Sequence, residues 1–196
     1  MSEEKEKGRP LPPAPGSAEH AGIALANTWQ VFSGGTRDLL ADRERASSWL
    51  ADNGLIGQGA ALGDPCTARL RTLRHHVRRL LSATAGASEP PEDSITAVNA
   101  AIKAAPSATL IAWDRERGLH RVVTHPVDEL TDSLLAALAA DTAELLCGPD
   151  ASRIAACAAA PCSRFYLRTH GARQWCSVRC GDRIRAARAY RRKSSA

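Results

Sequence analysis

Four cysteines crowded into 24 residues near the end of the chain restrict its folding more than any other feature: Cys157, Cys162, Cys176 and Cys180, spaced C-x4-C-x13-C-x3-C. The surrounding segment is strongly charged and short, too little to collapse around a core of its own without a cross-link. Zinc requires four sulfur or nitrogen ligands at tetrahedral corners, and two short loops that each offer a cysteine pair meet that demand. The binding energy of structural zinc, roughly 10–16 kcal/mol in finger peptides, appears directly as folding energy. The spacing is close to that of ribbon-type sites, with x4 and x3 in place of the common x2. Four thiolates leave no position for water, so the expected ion is structural. Two disulfides are a rival reading, disfavoured by a reducing cytosol. A thiol redox switch is another, because nearby arginines lower thiolate pKa values.

Charge is divided as sharply as the cysteines. Residues 151–196 hold Arg153, Arg164, Arg168, Arg173, Arg179, Arg183, Arg185, Arg188, Arg191, Arg192 and Lys193 against the single acid Asp182, a charge of +10. The whole chain of 196 residues carries +5, so the first 150 carry −5. Such asymmetry points to a polyanion-binding tail on an acidic body. From Gly181 to Lys193 the sequence reads as a helix, with Arg185, Arg188 and Arg192 at i, i+3 and i+7 in one stripe. Zinc would present that stripe on a rigid element, suited to a phosphate backbone or a major groove. The candidate nucleic-acid contacts are Arg173, Arg179, Arg183, Arg185, Arg188, Arg191, Arg192 and Lys193, with DNA preferred to RNA. Trp175, Phe165 and Tyr166 could stack on single-stranded bases, or simply pack around the zinc loops. A protein-interaction module is a third reading, its cationic surface meeting an acidic partner or the chain's own acidic half.

The rest of the chain predicts a mainly α fold. It has 37 Ala and 22 Arg but few aromatic residues, which favours helix over a β-sandwich. Residues 1–19 are charged and proline-rich and read as a disordered tail. The 20–148 region reads as a helical domain. Within it, residues 20–53 look like two helices broken at Gly34-Gly35, with Thr36 as cap of the second and Asn53-Gly54 as its stop. Pro65–Ala83 carries Leu70, Leu73, Val77, Leu80 and Leu81 on one stripe with arginines opposite. A short helix from Ser94 to Pro106 follows, then a hairpin over 108–125 around Arg115-Glu116-Arg117. A last helix runs from Val127, capped by Asp128 or Thr131, to Gly148-Pro149. The 151–196 module should add a short β element and a helix. Cys66 and Cys147 read as buried free thiols. His20, His75, His76, His120 and His125 read as ordinary polar residues, and His170 as a loop residue that four thiolates make unnecessary as a ligand.

Several classes are excluded. No apolar run approaches the roughly 20 residues of a membrane span, and the N-terminus MSEEKEKGRPLPPAPG lacks a secretory signal's apolar stretch. A cytoplasmic protein is expected. No paired carboxylates, phosphate-cradling glycine loop or nucleophile elbow appears, so an enzyme is not expected.

Residues 173–193, RQWCSVRCGDRIRAARAYRRK, resemble the Trp-Cys-Ser … Cys-Gly-Asn-Arg ending of bacterial CGNR-type zinc-finger proteins, the ABATE-domain family. CAAAPCSRFYLRTHGARQ resembles its first cysteine pair and the strand after it. Weaker echoes are Leu25–Thr28 (LANT), Arg37–Leu40, Trp49–Leu50 and Val98–Ile102. Asp182 stands where the family has Asn. The resemblance implies a transcriptional regulator, sometimes described as stress-induced, with a helical sensor-like domain and zinc ligation at Cys157, Cys162, Cys176 and Cys180. A homodimer and a small-molecule effector of the helical domain are open alternatives.

Overall fold

The computed structural model describes residues 11–32, 34–57, 59, 62–106, 108–124 and 130–194. The order is α1 (Ala21–Ala26), β1 (Trp29–Phe32), β2 (Gly35–Asp38), α2 (Arg43–Asp52), α3 (Asp64–Ala85), α4 (Glu92–Ala104), β3 (Ala108–Asp114), β4 (Gly118–Thr124), α5 (Leu130–Cys147), a 3-10 turn (Ala151–Arg153), β5 (Ile154–Ala156), β6 (Phe165–Leu167) and α6 (Val178–Ser194). Among the described residues, three antiparallel two-stranded sheets, β1–β2, β3–β4 and β5–β6, accompany the helices. The fold is mainly helical, as expected. None of the described helices is long and apolar enough to cross a membrane.

Helix α3 is the axis of the body and packs against α1, α4, α5 and β5. Pro65 sits at its first turn, where a missing N–H costs nothing, and Gly86 follows its last residue. Leu70, Leu73, Val77, Leu80 and Leu81 are all buried, as the stripe predicts. The arginines do not all lie opposite. Arg74 falls on the apolar face, four residues after Leu70, and is buried against Asp38 of β2. Its guanidinium also donates to the Thr28 hydroxyl at 3.0 Å and to the second Asp38 oxygen at 3.0 Å. A buried guanidinium needs such a full set of acceptors.

The segment 20–53 differs most from expectation. Helix α1 ends at Ala26, and Trp29–Phe32 pairs with Gly35–Asp38 as a hairpin, Trp29 opposite Asp38. Gly35 turns the chain at φ 131°, a conformation open to glycine and closed to a helix. Thr36 therefore lies in a strand, and Asp42 caps α2 by accepting from the Arg45 amide at 2.8 Å. Aromatic and β-branched residues beside paired glycines outweigh the helical spacing here. Helix α4 begins two residues before Ser94, which is buried, and the β3–β4 hairpin turns at residues 115–117 as predicted. Thr131 lies inside α5, while His125 and Asp128 lie outside the described residues. Cys66 is buried, but Cys147, at the end of α5, is exposed.

Residues 11–19 are not a loose tail. Ala14 is buried, Pro12 accepts a hydrogen bond from Arg164 at 2.8 Å, and Pro15 accepts one from the Leu167 amide at 2.8 Å. The prolines that suggested disorder instead pre-set an extended strap that caps the edge of β6. Residues 1–10 lie outside the described residues.

Candidate metal centre

The four cysteines come together. Their sulfurs all lie within 4.8 Å of one another, and all four residues are buried. Strand β5 delivers the first pair: the Cys157 amide extends the β5–β6 ladder by donating to the Arg164 carbonyl at 2.9 Å, and a tight turn closes with the Cys162 amide on the Ala159 carbonyl at 2.8 Å. The second pair differs from the predicted loop. Cys176 precedes α6 and Cys180 sits in its first turn, so a helix start takes the place of a second loop. Ser177 caps that start by accepting from the Cys180 amide at 3.3 Å. The Cys176 amide meanwhile donates to the Cys157 sulfur at 3.4 Å, as amides do toward metal-bound thiolates.

The spacing of the sulfurs identifies what they hold. Cys162 and Cys176 sulfurs are 3.8 Å apart, and those of Cys176 and Cys180 are 3.7 Å apart. A disulfide requires about 2.05 Å. Sulfurs set around one zinc ion at roughly 2.3 Å with tetrahedral angles fall about 3.8 Å apart. The thiols also act on one another through their hydrogen bonds. Cys157 is drawn down to about 6, first by its hydrogen bond with Cys162 and then by that with Cys176. Cys180 is likewise lowered, first by Cys157, whereas Cys162 and Cys176 are pushed up, each first by Cys157. Without a cation, some sulfurs hold charge only by keeping their neighbours protonated; a divalent ion removes that conflict. The donor set and its spacing fit one structural zinc ion.

The arginines around this centre divide into two groups. Arg173 lies 5.7 Å over the Tyr166 ring and donates to the Trp175 carbonyl at 3.0 Å and the Cys176 carbonyl at 3.4 Å. Arg183 donates to the Ala159 carbonyl at 2.5 Å and the Ala160 carbonyl at 3.3 Å, tying α6 to the first cysteine turn. These two predicted nucleic-acid contacts therefore spend their hydrogen bonds on the zinc loops. Arg185, Arg188, Arg191, Arg192 and Lys193 are exposed along α6, and Arg179 is half-buried at its start. Arg185 pairs with Asp182 and lies 5.9 Å over the Trp175 ring. Gly181 lets that ring approach: a Cβ there would stand 3.0 Å from it. Phe165 and Tyr166 are buried in β6, and the Tyr166 hydroxyl donates to the Arg173 carbonyl at 2.8 Å. Both pack the module and cannot stack on bases. His170 is exposed and outside the sulfur cluster.

Residues that the sequence reading passed over join the module to the helical body. Asn27 imitates a strand: its side-chain amide donates to the Phe165 carbonyl at 2.8 Å and its oxygen accepts from the Phe165 amide at 2.9 Å. Arg78 of α3 bridges the Ala26 carbonyl at 2.7 Å and the Ser163 carbonyl at 2.9 Å, with its guanidinium 5.2 Å over the Phe165 ring. Ile154, Phe165 and Leu167 share one buried cluster with Ile23, Leu25 and Leu70. The Leu25–Thr28 echo was the signal for this joint, since Leu25 and Thr28 are fully buried beside Asn27.

No curated protein matches the chain. Two families do. The pattern of the ABATE family, described as "Putative stress-induced transcription regulator", covers residues 19–149, and that of the CGNR zinc finger covers residues 153–193. Together with the four-sulfur site, these matches establish that the chain belongs to the ABATE family and ends in a CGNR zinc finger built around one structural zinc ion.

Proposed function

We propose that this protein is a DNA-binding transcriptional regulator in which zinc fixes the start of α6 and the arginines of that helix grip the duplex. The observation that carries this reading is the exposed stripe Arg185, Arg188 and Arg192 on a helix whose first turn contains Cys180. A long cationic helix anchored at one end by a closed metal site suits the phosphate backbone and the major groove. The role is binding rather than catalysis, since four thiolates fill the zinc sphere. DNA is favoured over single-stranded RNA because Phe165 and Tyr166 of β6 are buried and cannot stack on bases, and the half-buried Trp175 ring is covered by Arg185.

The test is duplex binding as a function of salt. The Arg185→Ala, Arg188→Ala, Arg192→Ala triple variant should keep its zinc while the slope of log affinity against log salt falls in magnitude by about 3. Equal affinity and slope in the triple variant, or tighter binding of single-stranded RNA than of duplex, would overturn the proposal.

A further inference from the structure

The β3–β4 hairpin presents an apolar face that nothing in the described chain covers. Residues opposite one another across the ladder share a face, and so do residues two apart along a strand. Trp113 pairs with Leu119, and Ile111 pairs with Arg121. These four therefore form one face, on which Ile111 is 81% exposed, Leu119 76% and Trp113 66%. On the reverse face, Ala112, His120 and Val122 are half-buried, and among its described side chains Leu110 alone, at 50%, is exposed. A two-stranded sheet standing alone is marginally stable in water and gains from a further layer.

We infer that this face is a dimerisation surface whose partner is a second copy of the chain, the two hairpins packing face to face about a two-fold axis. Charge supports a self-complementary fit. At the open end of the face Arg121 makes no ion pair among the described residues; at the turn end Glu116 makes none either. A two-fold axis through the middle of the face lays the turn of one copy over the open end of the other. Arg121 of each protomer then meets Glu116 at the turn of its partner, Asp114 being held on the reverse face by Arg117 and His120, while Trp113 packs on Ile111 and Leu119. A copy of the same chain thus supplies both the apolar layer and the opposite charge. The area also suffices. Three large side chains at this exposure present on the order of 500 Å² per copy, so two copies bury roughly 1,000 Å², the lower bound for a specific interface. A dimer would place two zinc fingers on one particle, though the inference stands apart from the DNA reading because its test contains no DNA.

The experiment is sedimentation equilibrium of the zinc-loaded full chain from micromolar to millimolar concentration. The expected species is twice the 20.9 kDa protomer. Ile111→Asp with Leu119→Asp should sediment as monomer while retaining its helical circular dichroism and its zinc. Arg121→Glu should weaken the dimer about fivefold, and adding Glu116→Arg should restore it. A wild-type monomer throughout the range, an Ile111→Asp/Leu119→Asp dimer, or a charge reversal without rescue would each overturn the inference.

Discussion

Asn27 shows how one side chain can do the work of a strand. Its amide satisfies both backbone groups of Phe165 in a buried setting, so Asn27→Ala strands a donor and an acceptor. The expected cost is about 2–3 kcal/mol in denaturant unfolding; Asn27→Asp, which keeps the acceptor and loses the donor, should also destabilise. Gly181 is a second such point. A methyl group there meets the Trp175 ring, so Gly181→Ala should displace the ring and speed zinc loss to a chelator, measured with a chromophoric zinc acceptor. His76 gives a pH signature. Burial first, then the positive charge of His75 and Arg79, lowers its pKa against the pull of Asp93. A histidine depressed on folding takes up its proton more readily when unfolded, so its contribution is complete above about 6.5 and is lost as pH falls below that value. Stability should therefore fall on acidification through this window, and His76→Gln should flatten the profile while zinc content is held equal.

At the scale of elements, the helices and the cysteine site were legible because each rests on local pattern. The α3 stripe has the helical period, the β3–β4 turn has its polar tip, and the four cysteines keep ligand spacing. What escaped depends on partners distant in sequence. Arg74 looked like a solvent arginine until Asp38 and Thr28 came beside it, and the prolines at 12 and 15 looked like a tail until β6 offered them an edge. The β1–β2 hairpin was hidden because Trp29–Phe32 also fits the helical spacing before it, and only the Gly35 turn decides between the two. In the finger, net charge could not separate arginines left exposed along α6 from arginines that tie the zinc loops together. Arg183→Ala should therefore behave unlike Arg188→Ala. The first should loosen the first cysteine turn and lower zinc affinity, whereas the second should leave the metal unaffected and weaken only duplex binding.

For the molecule as a whole, the finger is not a bead on a string. Ile154, Phe165 and Leu167 belong to the body's core, Arg78 spans the joint, and the strap from Leu11 to Gly16 lies against β6. The body and the β5–β6 sheet should consequently unfold in a single transition, and zinc removal should lower its midpoint rather than split it. Helix α6 depends on the metal more completely, for among its residues only Cys180 and Gly181 are buried. The most direct measurement is the zinc content of the purified full chain together with the amide protection of α6 before and after chelation. The expected result is one zinc per chain, its loss in Cys176→Ser, and collapse of protection across 178–194 when the ion is withdrawn. A metal-free chain whose α6 amides remain equally protected would contradict it.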